Sequence, residues 1–97
     1  MPFGLQDNDI KEIKLAIQKY PEITSIIIFG SRAMGNYKPG SDIDLALKGD
    51  VSDESFRGIK RVLEEESSLP YFFDLVIYNQ IQEPALKEHI DQHGHAF

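Results

Sequence analysis

The amino-acid sequence predicts a small α+β fold with the element order α-β-(short α)-β-α-β-α. Apolar residues before Pro21 recur at spacings of 3, 4 and 3, which is one face of a helix. The stretch from Thr24 to Phe29 is rich in β-branched and apolar residues, and polar and apolar residues alternate from Asp42 to Leu47. Both of these patterns are typical of strands, so helical and extended segments succeed one another along the chain.

A proline separates the first predicted helix from the first predicted strand. Asp9 has the capping-box spacing to Glu12, which predicts that the helix begins there. The helix ends before Pro21, because the residue preceding a proline is disfavoured in helical conformation. The following strand, Thr24 to Phe29, has no charged residue, and we expect it to be buried on both faces.

Turn-forming residues divide the rest of the chain into further short elements. These are, in order, a helical turn at 32–34, a loop at 35–40, the alternating strand at 42–47, a helix capped by Ser52 or Asp53 and ended by Pro70, a strand at 71–78 and a helix from Pro84 to Gly94. The last three residues are compatible with a short terminal strand. No internal repeat or linker interrupts this order, so we expect one domain over residues 1–97.

The composition excludes several classes of protein. Asp and Glu number 16 against 10 Lys and Arg, for a formal net charge of −6. Such a chain is unsuited to direct nucleic-acid binding, which depends on Lys and Arg, and it suits a basic protein partner better. There is no cysteine, so disulfides and thiolate metal sites are excluded. No apolar run approaches the length of a membrane span, and we expect a cytoplasmic protein with no membrane contact.

A pair of carboxylates opens the second predicted strand. Side chains alternate along a strand, so Asp42 and Asp44 point to one face while Ile43 points to the other. Two like charges held side by side repel each other unless a cation lies between them. Mg²⁺ binds one or two carboxylates together with substrate phosphates, and the pair therefore predicts a metal-nucleotide site. A strand start that simply faces solvent is the alternative.

Asp74 is the only charged residue in the third predicted strand, which runs from Tyr71 to Tyr78. A carboxylate in such an apolar segment is costly unless it is paired, hydrated or bound to metal. If this strand lies beside the second one, Asp74 joins Asp42 and Asp44. Three carboxylates around one or two Mg²⁺ ions would form a phosphoryl-transfer site. An edge position facing water is the alternative.

The pair Gly30-Ser31 follows the first strand directly, and ten residues separate it from the first of the carboxylates. Glycine lets the backbone approach a phosphate closely, and a turn that opens a helix offers unpaired N–H groups. The Ser31 hydroxyl adds a donor, so the pair predicts a phosphate-binding turn, with an ordinary strand-to-helix turn as the alternative. Arg32 either contacts the phosphates as well or lies on the surface.

Three histidines lie near the end of the last predicted helix: His89, His93 and His95. The first two have the i, i+4 spacing of a metal-ligand pair. The alternative, which we favour, is that histidines are common in the last turn because they interact favourably with the helix dipole.

The combined pattern resembles the DNA polymerase β-like nucleotidyltransferase superfamily, whose signature is G-S-x10-D-x-D followed by a third Asp on a later strand. The matching residues are Gly30, Ser31, Asp42, Asp44 and Asp74. The runs GSRAMGNYKPGSDIDLAL and PALKEHIDQHG are similar to the minimal nucleotidyltransferases (MNT) of HEPN–MNT toxin–antitoxin pairs. The resemblance extends from Ile10 to Gly94 and implies a palm-like mixed sheet backed by helices.

The resemblance also implies an activity. It implies that the chain binds two Mg²⁺ ions and ATP, that the three aspartates hold the metal and act in catalysis, and that Gly30, Ser31 and Arg32 contact the nucleotide. An adenylyl group would pass to a hydroxyl of a helical HEPN toxin, which is thereby restrained. Larger relatives carry a further helical domain, so we expect a partner to supply those contacts in a homo- or hetero-oligomer. Transfer to a small molecule, or a non-catalytic antitoxin that occludes its partner, are the alternatives.

Overall fold

The computed structural model describes residues 2–97 as an α+β fold with a four-stranded mixed sheet. Its main elements are α1 (Asp7–Gln18), β1 (Ile23–Phe29), α2 (Gly30–Met34), β2 (Ile43–Gly49), α3 (Asp53–Arg61), β3 (Phe73–Ile77), α4 (Pro84–His93) and β4 (His95–Ala96). Short helical segments lie at Pro2–Gly4 and Tyr78–Gln80, and a π-helical turn at Val62–Glu66 extends α3. The predicted element order is confirmed, and the terminal residues form β4. None of the helices in residues 2–97 has both the length and the apolar character needed to cross a membrane.

Helix α1 begins earlier than the sequence pattern predicts. Asp9 lies inside the first turn, where its carboxylate accepts the N–H of the capping residue Gln6 at 3.2 Å. The prediction that the helix begins at Asp9 is therefore wrong. The physical reason is that an acidic residue three positions into a helix binds the cap N–H, and the spacing from Asp9 to Glu12 alone does not show which of these positions Asp9 occupies.

The sheet has the strand order β3-β2-β1-β4. Strands β1 and β2 are antiparallel, and Phe29 is the partner of Asp44. Strands β2 and β3 are parallel, and α3 lies in the crossover between them that parallel neighbours require. Because Asp44 is the partner of Asp74 in this pair, the conditional prediction that the third strand lies beside the second is confirmed.

Different helices cover the two faces of the sheet. The larger core, which α1 and α3 help to form, contains fully buried side chains such as Ile13, Leu45 and Ile59. On the other face, Ile90 of α4 packs against Phe29 and Ala46. Asp44 belongs to this second face, since it is two residues from Ala46 on the same strand.

Strand β1 is buried only towards its carboxyl end. Thr24 and Ser25 are exposed, whereas Ile28 and Phe29 are buried. The expectation that the whole strand is buried on both faces is therefore wrong. The reason is that β4 is only two residues long and pairs with the second half of β1, which leaves the first half as an open edge.

Candidate active site

Two aspartates lie side by side near the amino ends of β2 and β3. Asp44 and Asp74 are register partners in a parallel pair, so their side chains leave the same face of the sheet. Asp42 comes directly before β2 and has the same parity as Asp44. Asp42 and Asp74 are exposed, and Asp44 is half-buried. The structure therefore brings the three predicted carboxylates together on one face and at one end of the two strands.

The carboxylates repel one another. Burial first, and then the negative charges of Asp74 and Asp42, raise the pKa of Asp44 from its ordinary value of 3.8 to about 6. The positive charge of Arg32 acts in the opposite direction and lowers this pKa. At neutral pH the site therefore concentrates negative charge that the protein does not fully compensate. A bound divalent cation would become the largest local charge and would relieve this repulsion.

Gly30 connects β1 to α2 and lies against Asp44. Its φ angle is +74°, in the left-handed region that glycine adopts at little cost. A Cβ atom built on Gly30 would overlap a carboxylate oxygen of Asp44. Ser31 follows in the first turn of α2, where backbone N–H groups have no partner within the helix. Both the backbone conformation and the nearness of Asp44 therefore require glycine at this position.

Arg32 is buried, with 2% of its surface exposed. Its contacts are with the protein backbone and not with open space where the predicted phosphates would lie. Its guanidinium donates to the carbonyl oxygen of Ser41 at 2.8 and 3.1 Å and to that of Phe3 at 2.9 Å. The rings of Tyr37 and Tyr71 lie 5.5 and 5.1 Å from its central carbon. These contacts engage the donors that a phosphate would need.

The geometry of Arg32 therefore favours a structural role over the predicted nucleotide contact. A guanidinium presents five N–H donors in a rigid planar fork, which suits several carbonyl oxygens at once. The carbonyl of Ser41 immediately precedes Asp42, so Arg32 ties the loop between α2 and β2 in place next to the carboxylates. The short helical segment at Pro2–Gly4, which supplies another carbonyl, was not expected from the sequence.

His89 is the site neighbour whose role the sequence did not reveal. Its Nε2 atom accepts the backbone N–H of Gly30 at 3.1 Å. In this bond the lone pair of Nε2 is the acceptor. The ring also makes an edge contact with Phe29, at 6.1 Å between centroids, and lies 5.3 Å from the ring of His93. A contact between residues 59 positions apart leaves no signal in local spacing.

His93 and His95 do not share that role. His93 is exposed in the last turn of α4, which fits the favoured interpretation of a histidine near the negative end of the helix dipole. His95 lies in β4 and packs its ring 5.9 Å from that of Phe3.

The donor set of the site fits Mg²⁺. Mg²⁺ prefers oxygen ligands and commonly keeps waters and substrate phosphates in its shell, so it needs only one or two carboxylates. Within residues 2–97, no three carboxylate or imidazole groups are grouped closely enough to hold a metal ion by themselves. Asp42, Asp44 and Asp74 by themselves therefore do not complete a metal site, and Mg²⁺ held there would need further ligands such as waters or phosphate oxygens. Metal binding by these residues stays a prediction.

The chain belongs to the polymerase β nucleotidyltransferase family. Residues 11–97 match the family model described as "Polymerase beta, Nucleotidyltransferase", and this range includes the Gly30 turn and the three aspartates. No curated protein sequence matches the chain.

The solved structures that are similar to the chain include three toxin-antitoxin structures. One is a toxin-antitoxin crystal structure with AMP-PNP, with a TM-score of 0.71 and 23% identity, covering 95% of this chain and 72% of that one. The others are two mutants of the toxin-antitoxin MntA-HpeT, each with a TM-score of 0.70. Their identities are 21% and 23%, and the matches cover 95% and 96% of this chain and 72% of each of theirs. At these sequence identities, the similarity shows that the chain shares their fold and nothing further.

Proposed function

We propose that the chain transfers an adenylyl group from Mg²⁺-ATP to a hydroxyl of a HEPN-type toxin and thereby acts as its antitoxin. The observation that carries this proposal is the register of Asp44 with Asp74, next to a glycine turn that lies against Asp44. Family membership supports nucleotidyl transfer. The structures of similar fold are toxin-antitoxin structures, one of them with AMP-PNP, which supports an adenine nucleotide and a protein acceptor.

The proposed roles follow from position. Asp42 and Asp44 hold Mg²⁺, and the Gly30-Ser31 turn seats the β- and γ-phosphates. Asp74 completes the metal site from the edge strand β3. When bound, Mg²⁺ would neutralise charge that develops on the phosphate oxygens as pyrophosphate leaves.

The transfer itself needs one base and one good leaving group. The acceptor hydroxyl oxygen forms a bond to the α-phosphorus of ATP, and the bond from that phosphorus to the bridging oxygen of pyrophosphate breaks. Asp74 takes the hydroxyl proton, because it is exposed on the same face as Asp44 and can reach an incoming acceptor. Adenylyl-protein and pyrophosphate are the products.

An exposed aromatic side chain supports a protein acceptor over a small molecule. Phe72 comes two residues before Asp74 and has 79% of its surface exposed. An aromatic side chain at this exposure, near the proposed site, would give a protein partner a large apolar contact, of the kind that aromatic residues supply at protein interfaces. The net charge of −6 also favours a basic partner.

The test is transfer of label from ATP carrying a radioactive α-phosphate. The chain is mixed with a purified HEPN-type protein, and the intact mass of that protein is measured. We expect one or more adenylyl groups on the partner, and none when Asp42 and Asp44 are both replaced by Ala. Asp50→Ala is the matched control, because Asp50 is an exposed aspartate beyond the far end of β2.

Two outcomes would overturn the proposal in different ways. If the Asp42→Ala, Asp44→Ala double variant protects cells from the toxin as well as the parent does, the chain acts by occlusion. If the partner stays unlabelled while small hydroxyl compounds become adenylylated, the acceptor is a small molecule.

A further inference from the structure

A single hydrogen bond joins the last helix to the turn at the proposed nucleotide site. The Gly30 N–H donates to Nε2 of His89 at 3.1 Å, and the bond is partly buried. The donor is a backbone group in the turn, so the bond acts on the orientation of the peptide plane between Phe29 and Gly30. The acceptor is a side chain of α4, which is otherwise remote in sequence.

Helix α4 provides a rigid support for this contact. Ile90, the residue after His89, is 1% exposed and packs against Phe29 and Ala46 of the sheet. The imidazole itself meets the ring of Phe29 edge-on, with an angle of 77° between the two planes. The position of the Nε2 atom is therefore set by packing on β1 and β2, the strands that flank the turn.

The conformation of Gly30 depends on outside contacts more than that of a residue with a side chain would. Glycine reaches left-handed and right-handed conformations at similar cost, so its own backbone does not select the observed φ of +74°. Asp44 lies where a Cβ atom would be, and it restricts Gly30 from one side. The hydrogen bond from His89 fixes the amide from another direction.

We infer that His89 is a positioning residue of the nucleotide site. By accepting the Gly30 N–H, it holds the strand-to-helix turn in its left-handed form, so that Ser31 and the start of α2 face the triphosphate before it arrives. A preformed turn binds a ligand more tightly, because no ordering cost is left for the binding step. The identity of the ligand as Mg²⁺-ATP rests on the proposed function.

The same contact limits what Gly30 can contribute to nucleotide binding. Its N–H is already donated to His89, so the unpaired amides that can meet a phosphate begin at Ser31. Gly30 then contributes its conformation and its small size, and not a hydrogen bond to the nucleotide.

Two substitutions of His89 separate the hydrogen bond from the rest of the side chain. In His89→Gln, the amide oxygen is as many bonds from the backbone as Nε2 and can accept the Gly30 N–H. In His89→Asn, the amide ends one bond sooner and cannot reach it. His93→Asn is the matched control, because it makes the same change one turn later, at an exposed position whose ring touches that of His89.

Three measurements are made on the full chain. They are the amide proton shift of Gly30 without nucleotide, the dissociation constant for Mg²⁺-ATP by calorimetry, and the thermal midpoint. We expect His89→Asn to move the Gly30 resonance upfield and to weaken Mg²⁺-ATP binding about fivefold, the equivalent of one neutral hydrogen bond. His89→Gln should keep the resonance in place and the affinity within about twofold, and His93→Asn should change neither.

The outcomes distinguish this inference from the proposed function. If Gln and Asn at position 89 bind Mg²⁺-ATP equally well, or if Asn binds more tightly, His89 does not position the turn. If the thermal midpoint alone changes, its role is structural. If the parent chain fails to bind Mg²⁺-ATP, the proposed function is wrong, and the Gly30 resonance in the free protein still decides whether His89 holds the turn.

Discussion

A basic residue lies near one end of the segment from Gly30 to Asp44 and two acidic residues lie near the other, and their surroundings differ. The Arg32 guanidinium is almost completely buried, and its nitrogens donate to backbone carbonyls. The carboxylates of Asp42, Asp44 and Asp74 lie together on an open face, and their mutual repulsion contributes to the raised pKa of Asp44. One region is electrostatically satisfied, and the other is not.

This difference separates a stabilising charge from a functional one. A buried charge is tolerated when hydrogen bonds replace its hydration, and then it holds its partners in place. A cluster of like charges costs stability, and it persists where a ligand neutralises it. Arg32 therefore belongs to the scaffold of the loop, and the aspartates belong to the proposed site.

The largest expected effect comes from removing the satisfied charge. Arg32→Met leaves the partly buried carbonyls of Ser41 and Phe3 without their donors, and we expect the free energy of unfolding to fall by about 3 kcal/mol. Urea denaturation measures it. Arg57→Met, at an exposed position on α3, should change stability by less than about 0.5 kcal/mol. Full recovery in Arg32→Lys would show that the planar fork is not what the loop requires.

A smaller effect is expected at the junction between the two regions. Gly30→Ala introduces a Cβ atom where Asp44 lies and a left-handed conformation that alanine disfavours. We expect a loss of about 2 kcal/mol in the free energy of unfolding, together with weaker binding of Mg²⁺-ATP. Gly40→Ala is the control, because nothing lies within 4 Å of a Cβ atom there and Gly40 has no positive φ. Equal losses at the two positions would contradict the special geometry of Gly30.

The smallest effect has the opposite sign. The folded chain keeps the Asp44 carboxyl protonated up to about pH 6, whereas the unfolded chain ionises it near pH 4, so stability falls as the pH rises between these values. Asp44→Asn removes this penalty. Discounted for solvent screening at a half-buried group, the gain in unfolding free energy at pH 8 in EDTA is about 1 kcal/mol, and it disappears near pH 4.

At pH 8, added Mg²⁺ should make the parent chain more stable than the Asp44→Asn variant. The ion stabilises the parent chain because it binds the folded carboxylates, and Asp44→Asn weakens that binding. Asp50→Asn, just beyond the end of β2 that lies away from the site, should behave like the parent in both EDTA and Mg²⁺. A gain that persists at pH 4, or one equal in Asp50→Asn, would show that the raised pKa of Asp44 is not its source.

Sequence patterns predicted the local parts of the site and missed its long-range contacts. Strand parity placed Asp42 and Asp44 together, and the break after Phe29 placed a turn at Gly30-Ser31. The structural contacts of Arg32 were not foreseen, because its carbonyl partners come from the loop and from the first residues of the chain. The predicted start of α1 was also wrong, because spacing alone does not show which capping position Asp9 occupies. The predicted burial of Thr24 was wrong because β4 pairs only with the second half of β1.

The sequence by itself determined the order of the elements, the shared face of two carboxylates and the place of a turn at Gly30-Ser31. These follow from backbone periods and conformational preferences that act over a few residues. Only the tertiary structure decided that Asp74 is the register partner of Asp44, that Arg32 turns into the loop and that His89 accepts the Gly30 N–H. These contacts join residues that are brought together by strand pairing and helix packing, and no local pattern encodes which long-range neighbours will meet.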